Sequence, residues 1–279
     1  MLTINGNTRV FVIVADPVAQ VKAPAMFNQV FARFGVNAVM VPLQVPAVAL
    51  DGTLRSLLLS PTIGGVALSI PHKHSAASVC DTLTTLAAQA QAVNALRRAS
   101  NGGLEGALFD GIGLLAALEQ AGFAYHGKRV LIIGAGGAAA AIAASLHAHT
   151  SYLAFYDPDA ERSRALSQRF SAKGNAEVTV ARTNDPQGFD LVINASPLGM
   201  NTGDALPADP ARMAKECKVF DIVMKSPATE WVRLATRYGL AASNGSAMLI
   251  RQMPAYLRFF GYPELALAVE EDEGLLNAM

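Results

Sequence analysis

What this 279-residue sequence has little of already narrows what it can do. Its two cysteines, Cys80 and Cys217, form no CxxC pair, so a disulfide framework is excluded and both read as incidental thiols in a reducing compartment. Charge is scarce and balanced: 16% of residues, with 22 basic and 22 acidic side chains and a net charge of +0. That balance argues against broad electrostatic capture of nucleic acid or of an anionic membrane. Apolar residues make up 52%, which excludes a disordered chain, and the mean hydropathy of +0.30 raises the question of a membrane span. The longest apolar run, 130–146, is broken at its centre by Gly134, Ala135, Gly136 and Gly137. A spanning helix needs about 20 continuous apolar residues, so a strand, a tight turn and a helix fit that run better. The stretch 1–8 is polar and lacks the charged region and apolar core of a secretory signal. Repeats and low-complexity linkers are missing too. The expectation is a cytoplasmic protein, a monomer or homodimer, with no nucleic-acid or membrane partner.

What is present is an alternation of short β-rich runs with longer helical patterns, the mark of βα units around a mainly parallel sheet. Strands are expected at 9–15, 37–43 and 64–69, with helices at 23–34 and 48–59 and one or two more within 73–91. Runs 95–98 and 103–107 suit a short hairpin around Asn101-Gly102. Past Gly122 the alternation is strict, with strands at 129–133, 152–156, 177–181, 191–194 and 219–223. Helices are expected at 229–238, 247–260 and 263–271. The fold class is therefore α/β with two domains, an N-terminal α/β domain and a Rossmann-like domain, which the motifs that follow assign to substrate and to dinucleotide binding respectively. Residues 1–108 with 241–279 form the first and 109–240 the second, the C-terminal helices returning to the first domain.

The run Val130–Ile133 leads into Gly134-Ala135-Gly136-Gly137-Ala138 and then a helix. A pyrophosphate needs close backbone approach, unobstructed N–H donors and the positive end of a helix dipole, which these small residues permit. The motif departs from GxGxxG, because its third glycine position is Ala139. Asp157 lies 23 residues past Gly134 at the end of the next strand, where a carboxylate hydrogen-bonds the ribose hydroxyls of NAD and repels a 2′-phosphate. Pro158 stands where an NADP enzyme often carries arginine, so NAD is expected over NADP. Asp157 also suits the N-cap of the following helix.

A nicotinamide dehydrogenase needs a group that exchanges the alcohol proton as hydride leaves carbon. Ser69-Ile70-Pro71-His72-Lys73 lies just beyond the third strand, where open α/β sheets bind ligands. Lysine can carry such a proton, though taken alone Lys73 also reads as an exposed residue of a helical first turn. Asp110 reads locally as a helix N-cap. His72 and His74 are expected at the surface, and His147 with His149 lacks a third ligand, so no metal is expected.

Several segments, in order, resemble the shikimate/quinate dehydrogenase family. Asp16-Pro17-Val18-Ala19 through Pro24-Ala25-Met26-Phe27-Asn28 resembles its N-terminal substrate loop and helix, and Ser69-Ile70-Pro71-His72-Lys73 its threonine-any-proline-any-lysine signature. Ala92-Val93-Asn94, Asp110-Gly111, Gly134–Ala138 and Asn194-Ala195-Ser196-Pro197-Leu198-Gly199-Met200 follow at the matching places, then Gly245, Met248-Leu249 and Gln252. The resemblance spans nearly the whole chain. It implies an NAD(P)-dependent oxidoreductase in which Lys73 and Asp110 form the catalytic dyad. It further implies that Asn94 and Gln252 contact substrate hydroxyls, with Ser69 standing for the family threonine. Asn194, Pro197 and Met200 would line the cofactor, and Met248 its nicotinamide end.

The departures lie on the substrate side. The family's two carboxylate-binding serines are replaced by Val21 and Ala23, an asparagine by Ala67, an asparagine-threonine pair by Leu108-Phe109, and a tyrosine by Met224. A charge-assisted hydrogen bond contributes about 1.5–3 kcal/mol, so losing several weakens binding of a carboxylate-bearing substrate. One expectation is a different, less acidic cyclic alcohol. The other is an unchanged substrate held by backbone N–H groups with Lys22, Gln20 or Lys225. A non-catalytic metabolite sensor is a third reading, which the retained Lys73 and Asp110 disfavour.

Overall fold

The computed structural model describes residues 4–171, 174, 176–225 and 228–278. Every candidate site residue falls within them, whereas the first three residues of the polar stretch 1–8 do not. The chain divides into two compact units, Met1–Phe109 with Gln252–Met279, and Asp110–Arg251.

The first unit begins β1 (Arg9–Ala15), α1 (Ala23–Arg33), β2 (Ala38–Gln44), α2 (Leu50–Leu59) and β3 (Ile63–Leu68). It continues with β4 (Thr82–Leu83), α3 (Thr85–Ala90), β5 (Ala95–Arg98) and β6 (Leu104–Ala107). The six strands form one mixed sheet in the order β2-β1-β3-β5-β6-β4. β1 runs parallel to both β2 and β3, and the β5–β6 hairpin joins antiparallel to β3. Its turn uses Gly102 at φ +86, with the Asn101 side chain accepting from Gly103 N–H. β1 is buried on both faces from Phe11 to Ala15, which explains its unbroken apolar sequence.

The second unit contains α4 (Asp110–Gln120), β7 (Arg129–Ile133), α5 (Gly137–Leu146), β8 (Tyr152–Tyr156), α6 (Ala160–Phe170) and β9 (Glu177–Val180). β10 (Leu191–Asn194), β11 (Lys218–Asp221), α7 (Glu230–Arg237), β12 (Ala241–Asn244) and α8 (Gly245–Arg251) complete it. Its sheet is parallel throughout, ordered β12-β11-β10-β7-β8-β9. That is the doubly wound dinucleotide-binding order, with the switch between β7 and β10. Leu131, Ile133, Val192 and Val219 fill one side of it around Trp231, whose indole N–H donates to Ala208 O at 2.9 Å.

β12 was not expected: the sequence reading ended its strands at 219–223. Ala241-Ala242-Ser243-Asn244 has no β-branched residue, yet it pairs in register with β11 from Lys218↔Ala241 to Asp221↔Asn244. Its pairing carries the second unit on through α8. The helix expected over 247–260 is accordingly two, because α8 ends at Arg251 and α9 (Met253–Phe259) starts after Gln252 with Pro254 in its first turn.

The chain then finishes the first unit with α9, α10 (Pro263–Glu271) and α11 (Glu273–Ala278). Phe260 lies 4.9 Å from the Phe11 ring, and a Cβ on Gly65 would overlap it. Gly64 makes the same room for Phe11. Two consecutive glycines in β3 thus let aromatic rings lie flat on the sheet and hold the returning helices against it. Among the described residues no helix is long and apolar enough to cross a membrane.

Candidate active site

In the first unit, three segments converge on Asn94, which is 1% exposed. Its backbone N–H donates to Ala107 O at 2.9 Å, and its carbonyl accepts from Leu68 N–H at 2.8 Å and from the Tyr256 hydroxyl at 3.0 Å. Its side-chain Oδ1 accepts from Phe109 N–H at 3.0 Å, and Nδ2 donates to Gln252 Oε1 at 3.3 Å. One residue earlier, Val93 N–H donates to Lys73 O at 2.9 Å. Lys73 therefore belongs to the same neighbourhood as Asn94 and Gln252, although 21 residues separate it from Asn94 in sequence. Ser69 anchors the loop before it, donating its N–H to Val14 O and accepting from His72 N–H at 3.0 Å. His72 departs from its expected place at the surface: it is 1% exposed, and its Nε2 has no hydrogen-bond partner. The backbone turns inward there, with Ala76 N–H bonded to His72 O. His74 is exposed, as expected, and its Nδ1 lies 3.0 Å from Gln91 O.

The substitutions differ in what they do. Ala23 is buried as the first residue of α1, and Val21 is half-buried just before it, so neither brings a donor to that helix start. The Gln20 amide donates to Pro17 O at 2.6 Å, and Lys22 is exposed. Phe109 is turned into the unit's aromatic core, edge-on to Tyr256 at 4.9 Å and to Phe259 at 5.6 Å. Its contribution to the Asn94 cluster is its backbone N–H. Met224 is exposed, and Lys225 Nζ is 3.4 Å from Met200 O.

In the second unit, β7 ends at Ile133 and the chain turns through Gly134 at φ +104, a conformation that side chains strain. A Cβ there would also strike the backbone of Ala195, so only glycine brings these two strand ends together. Gly136 is the N-cap of α5 and faces open space where a Cβ would be. Ala135, Gly137 and Ala138 are half-buried around it. The Asp157 carboxylate reaches this loop: Oδ2 accepts from Ala135 N–H at 2.9 Å and Oδ1 from Asp159 N–H at 3.0 Å. The N-cap of α6 is Asp159, which accepts from Glu161 N–H, so Asp157 does not serve as that cap. Arg162 and Arg164 pair with Asp159 and Glu161. Small residues, a helix start and a carboxylate at the next strand end fit a dinucleotide's pyrophosphate and ribose.

Asn194 plays a part that sequence reasoning did not foresee. It is fully buried, and its side chain is spent inside the protein. Nδ2 donates to Leu198 O and Asp221 Oδ1, both at 2.9 Å, while Oδ1 accepts from Ser196 N–H and Oγ. Asp221 Oδ2 accepts from the Thr229 hydroxyl at 2.6 Å and its Oδ1 from Val223 N–H. Burial pushes the Asp221 carboxyl above its usual range, and bonds from Thr229, Val223 and Asn194 pull the other way. This network shapes the 194–200 loop that leaves Pro197 and Met200 exposed. Asp221 and Thr229 were missed because nothing local distinguishes them; their positions at strand and helix ends are the only signal. Met248 is buried in α8, and Asp110, 4% exposed, opens α4.

A model of the shikimate dehydrogenase substrate-binding domain matches residues 13–96. The shikimate dehydrogenase (NADP(+)) of Rubrobacter xylanophilus is 35% identical over 254 residues, which is 89% of each chain. The chain belongs to the shikimate dehydrogenase family. The shikimate dehydrogenase (NADP(+)) of Rhodospirillum rubrum is 34% identical over 99% of this chain and 98% of its own. Among solved structures, a shikimate dehydrogenase in complex with NADP+ superposes with a TM-score of 0.85 at 26% identity, over 96% of this chain and 97% of that one. A ligand-free 5-ketofructose reductase of Gluconobacter sp. strain CHM43 gives 0.83 at 26% identity, over 96% and 99%. The protein is thus a shikimate dehydrogenase-like oxidoreductase, an NAD(P)-dependent enzyme acting on CH–OH groups. The family resemblance and the two-domain α/β fold expected from sequence are both borne out. The expected preference for NAD finds no support in the two shikimate dehydrogenases named for NADP(+) or in the one solved with NADP+.

Proposed function

We propose that the chain oxidises a ring secondary alcohol, or reduces the matching ketone, whose recognition does not run through a carboxylate. Lys73 and Asp110 are the proton-transfer pair. The observation that carries the reading is the Asn94 cluster, in which Val93 is bonded to Lys73 and Asn94 to Gln252 and to Phe109, the neighbour of Asp110. In the oxidative direction Lys73 takes the hydroxyl proton as hydride leaves the carbinol carbon, and Asp110 orients the lysine and the hydroxyl. Gly134–Ala138 and Asp157 hold the pyrophosphate and ribose of a nicotinamide dinucleotide, which supplies the hydride acceptor when bound. Asn94 and Gln252 bind substrate hydroxyls beside Ser69, while Pro197, Met200 and Met248 border the nicotinamide.

Two finer points follow from the same residues. The side chains of Val21 and Ala23 cannot donate hydrogen bonds, and Gln20 turns its amide to Pro17 O, so the start of α1 offers no side-chain hydroxyl to a carboxylate. The likeness to a 5-ketofructose reductase favours an uncharged polyhydroxy ketone as the alternative to shikimate or quinate. NAD is favoured over NADP because Asp157 directs its carboxylate at the phosphate loop and the arginines that follow are paired with acids.

Purified protein assayed with shikimate, quinate, neutral cyclic alcohols and keto sugars, each with both nicotinamide cofactors, tests this by nicotinamide absorbance. Higher kcat/KM on a neutral compound with NAD or NADH is expected. Best turnover on shikimate with NADP overturns both the substrate and the cofactor reading. Tight ligand binding without turnover of any compound favours a sensor instead.

A further inference from the structure

The polarity of the Asn94–Gln252 pair is set by a group that cannot change its role. Phe109 N–H can only donate, so the atom facing it is Asn94 Oδ1 and the other end of the carboxamide is the donor Nδ2. Nδ2 in turn meets Gln252 Oε1, which assigns that carboxamide as well and leaves Nε2, a donor, as its remaining polar atom. Each carboxamide oxygen thus already accepts one bond within the protein, whereas Gln252 Nε2 is left with its hydrogens. The pair therefore ends in a donor, matched to an acceptor oxygen.

Gln252 needs a fixed backbone for this. Tyr256 follows it one helical turn later, with Tyr256 N–H donating to Gln252 O at 3.2 Å. The Tyr256 hydroxyl donates to the backbone carbonyl of Asn94, the residue whose side chain Gln252 meets. Its ring is 6% exposed, edge-on to Phe27 at 5.8 Å and to Phe109 at 4.9 Å. One residue thus ties the start of α9 to the strand end that bears Asn94 and packs on the residue whose N–H orients Asn94.

We propose that Tyr256 is a positioning residue that holds Asn94 and Gln252 in the orientation that turns the Gln252 amide, a donor, to an acceptor oxygen of the substrate. The proposal rests on the reading of that pair as substrate contacts. Tyr256→Phe is the variant of choice, because it keeps the ring and leaves the Asn94 carbonyl its bond from Leu68 N–H. With the best substrate of the panel, kcat/KM should fall about fivefold to tenfold, mostly in substrate KM, with cofactor KM unchanged. In a Gln252→Ala background the same change should have almost no effect, since interacting residues are non-additive. Independent, additive losses overturn a positioning role and leave a structural one. A readout free of turnover separates this from failure of the functional reading. In 15N-labelled full-length protein, the side-chain NH2 signals of Asn94 and Gln252, assigned with Asn94→Asp and Gln252→Glu, should shift and broaden in Tyr256→Phe. Unchanged signals overturn the proposal whether or not a substrate has been found.

Discussion

Two buried asparagines at strand ends do opposite work. Asn194 in the second unit spends both ends of its carboxamide on four internal bonds, and its partner Asp221 is equally enclosed. Asn94 in the first unit has its oxygen fixed by a backbone N–H, and its amide passes on to Gln252, where a donor is left over. A closed network shapes a loop, whereas an open chain of bonds ends in a group that can meet a ligand. The residue type is the same in both places; only its hydrogen-bond accounting separates a closed network from one with a donor left over.

The sharpest way to break this contrast is to remove chemistry from the open side. Lys73→Ala should lower kcat by on the order of 10²–10⁴ while cofactor binding, followed by fluorescence titration, is retained. Unaltered turnover on a true substrate would remove Lys73 from the dyad. On the closed side the loss should be of stability: Asp221→Ala strands the Thr229 hydroxyl, Val223 N–H and Asn194 amide, at a cost of about 3 kcal/mol in urea unfolding. An effect on activity alone, with no shift of the unfolding midpoint, would contradict a scaffolding role. Asp221 also sets a pH dependence. Its folded-state pKa is raised by burial, so the folded protein holds that proton more tightly than the unfolded chain. Stability relative to Asp221→Asn should therefore fall as pH rises from about 4 through the raised value, and level off above it.

Smaller effects sharpen the substrate and cofactor ends. The double change Val21→Ser with Ala23→Ser should raise kcat/KM for shikimate roughly 10- to 100-fold, at about 1.5 kcal/mol or less for each hydroxyl restored. No gain would mean that the carboxylate is held elsewhere. Asp157→Asn should move the NADP-to-NAD ratio of kcat/KM up by about tenfold, through loss of charge repulsion at the ribose. A ratio that stays put would show that Asp157 serves the loop at Ala135 and not the cofactor's choice.

Much of this organisation is readable from the residues, and the limits have physical causes. The phosphate loop and the parallel strands around it stand out because close backbone approach and two-sided burial restrict residue type severely. The β12 pairing was invisible, since Ala-Ala-Ser-Asn owes its extended form to β11 and not to its own preferences. The break at Gln252 was hidden by an apolar pattern that runs on through it. Phe109 reads as a pocket residue because it stands where the family resemblance places a polar pair, but its ring packs against Tyr256 and Phe259. His72 misled in the opposite sense, as a polar residue that tertiary packing has buried.

Gly111 carries one more consequence. A Cβ at that position would run into Ser145 Oγ and the Ala141 carbonyl, so α4 lies with its backbone directly on α5. The first residue of α4 is Asp110, and the first of α5 is Gly137 of the phosphate loop. The absence of one methyl group therefore works as a ruler, fixing the height of a carboxylate above the glycine-rich loop proposed to hold a dinucleotide's phosphates. Any larger residue at 111 would lengthen that ruler without altering a single atom of the loop or of the acid.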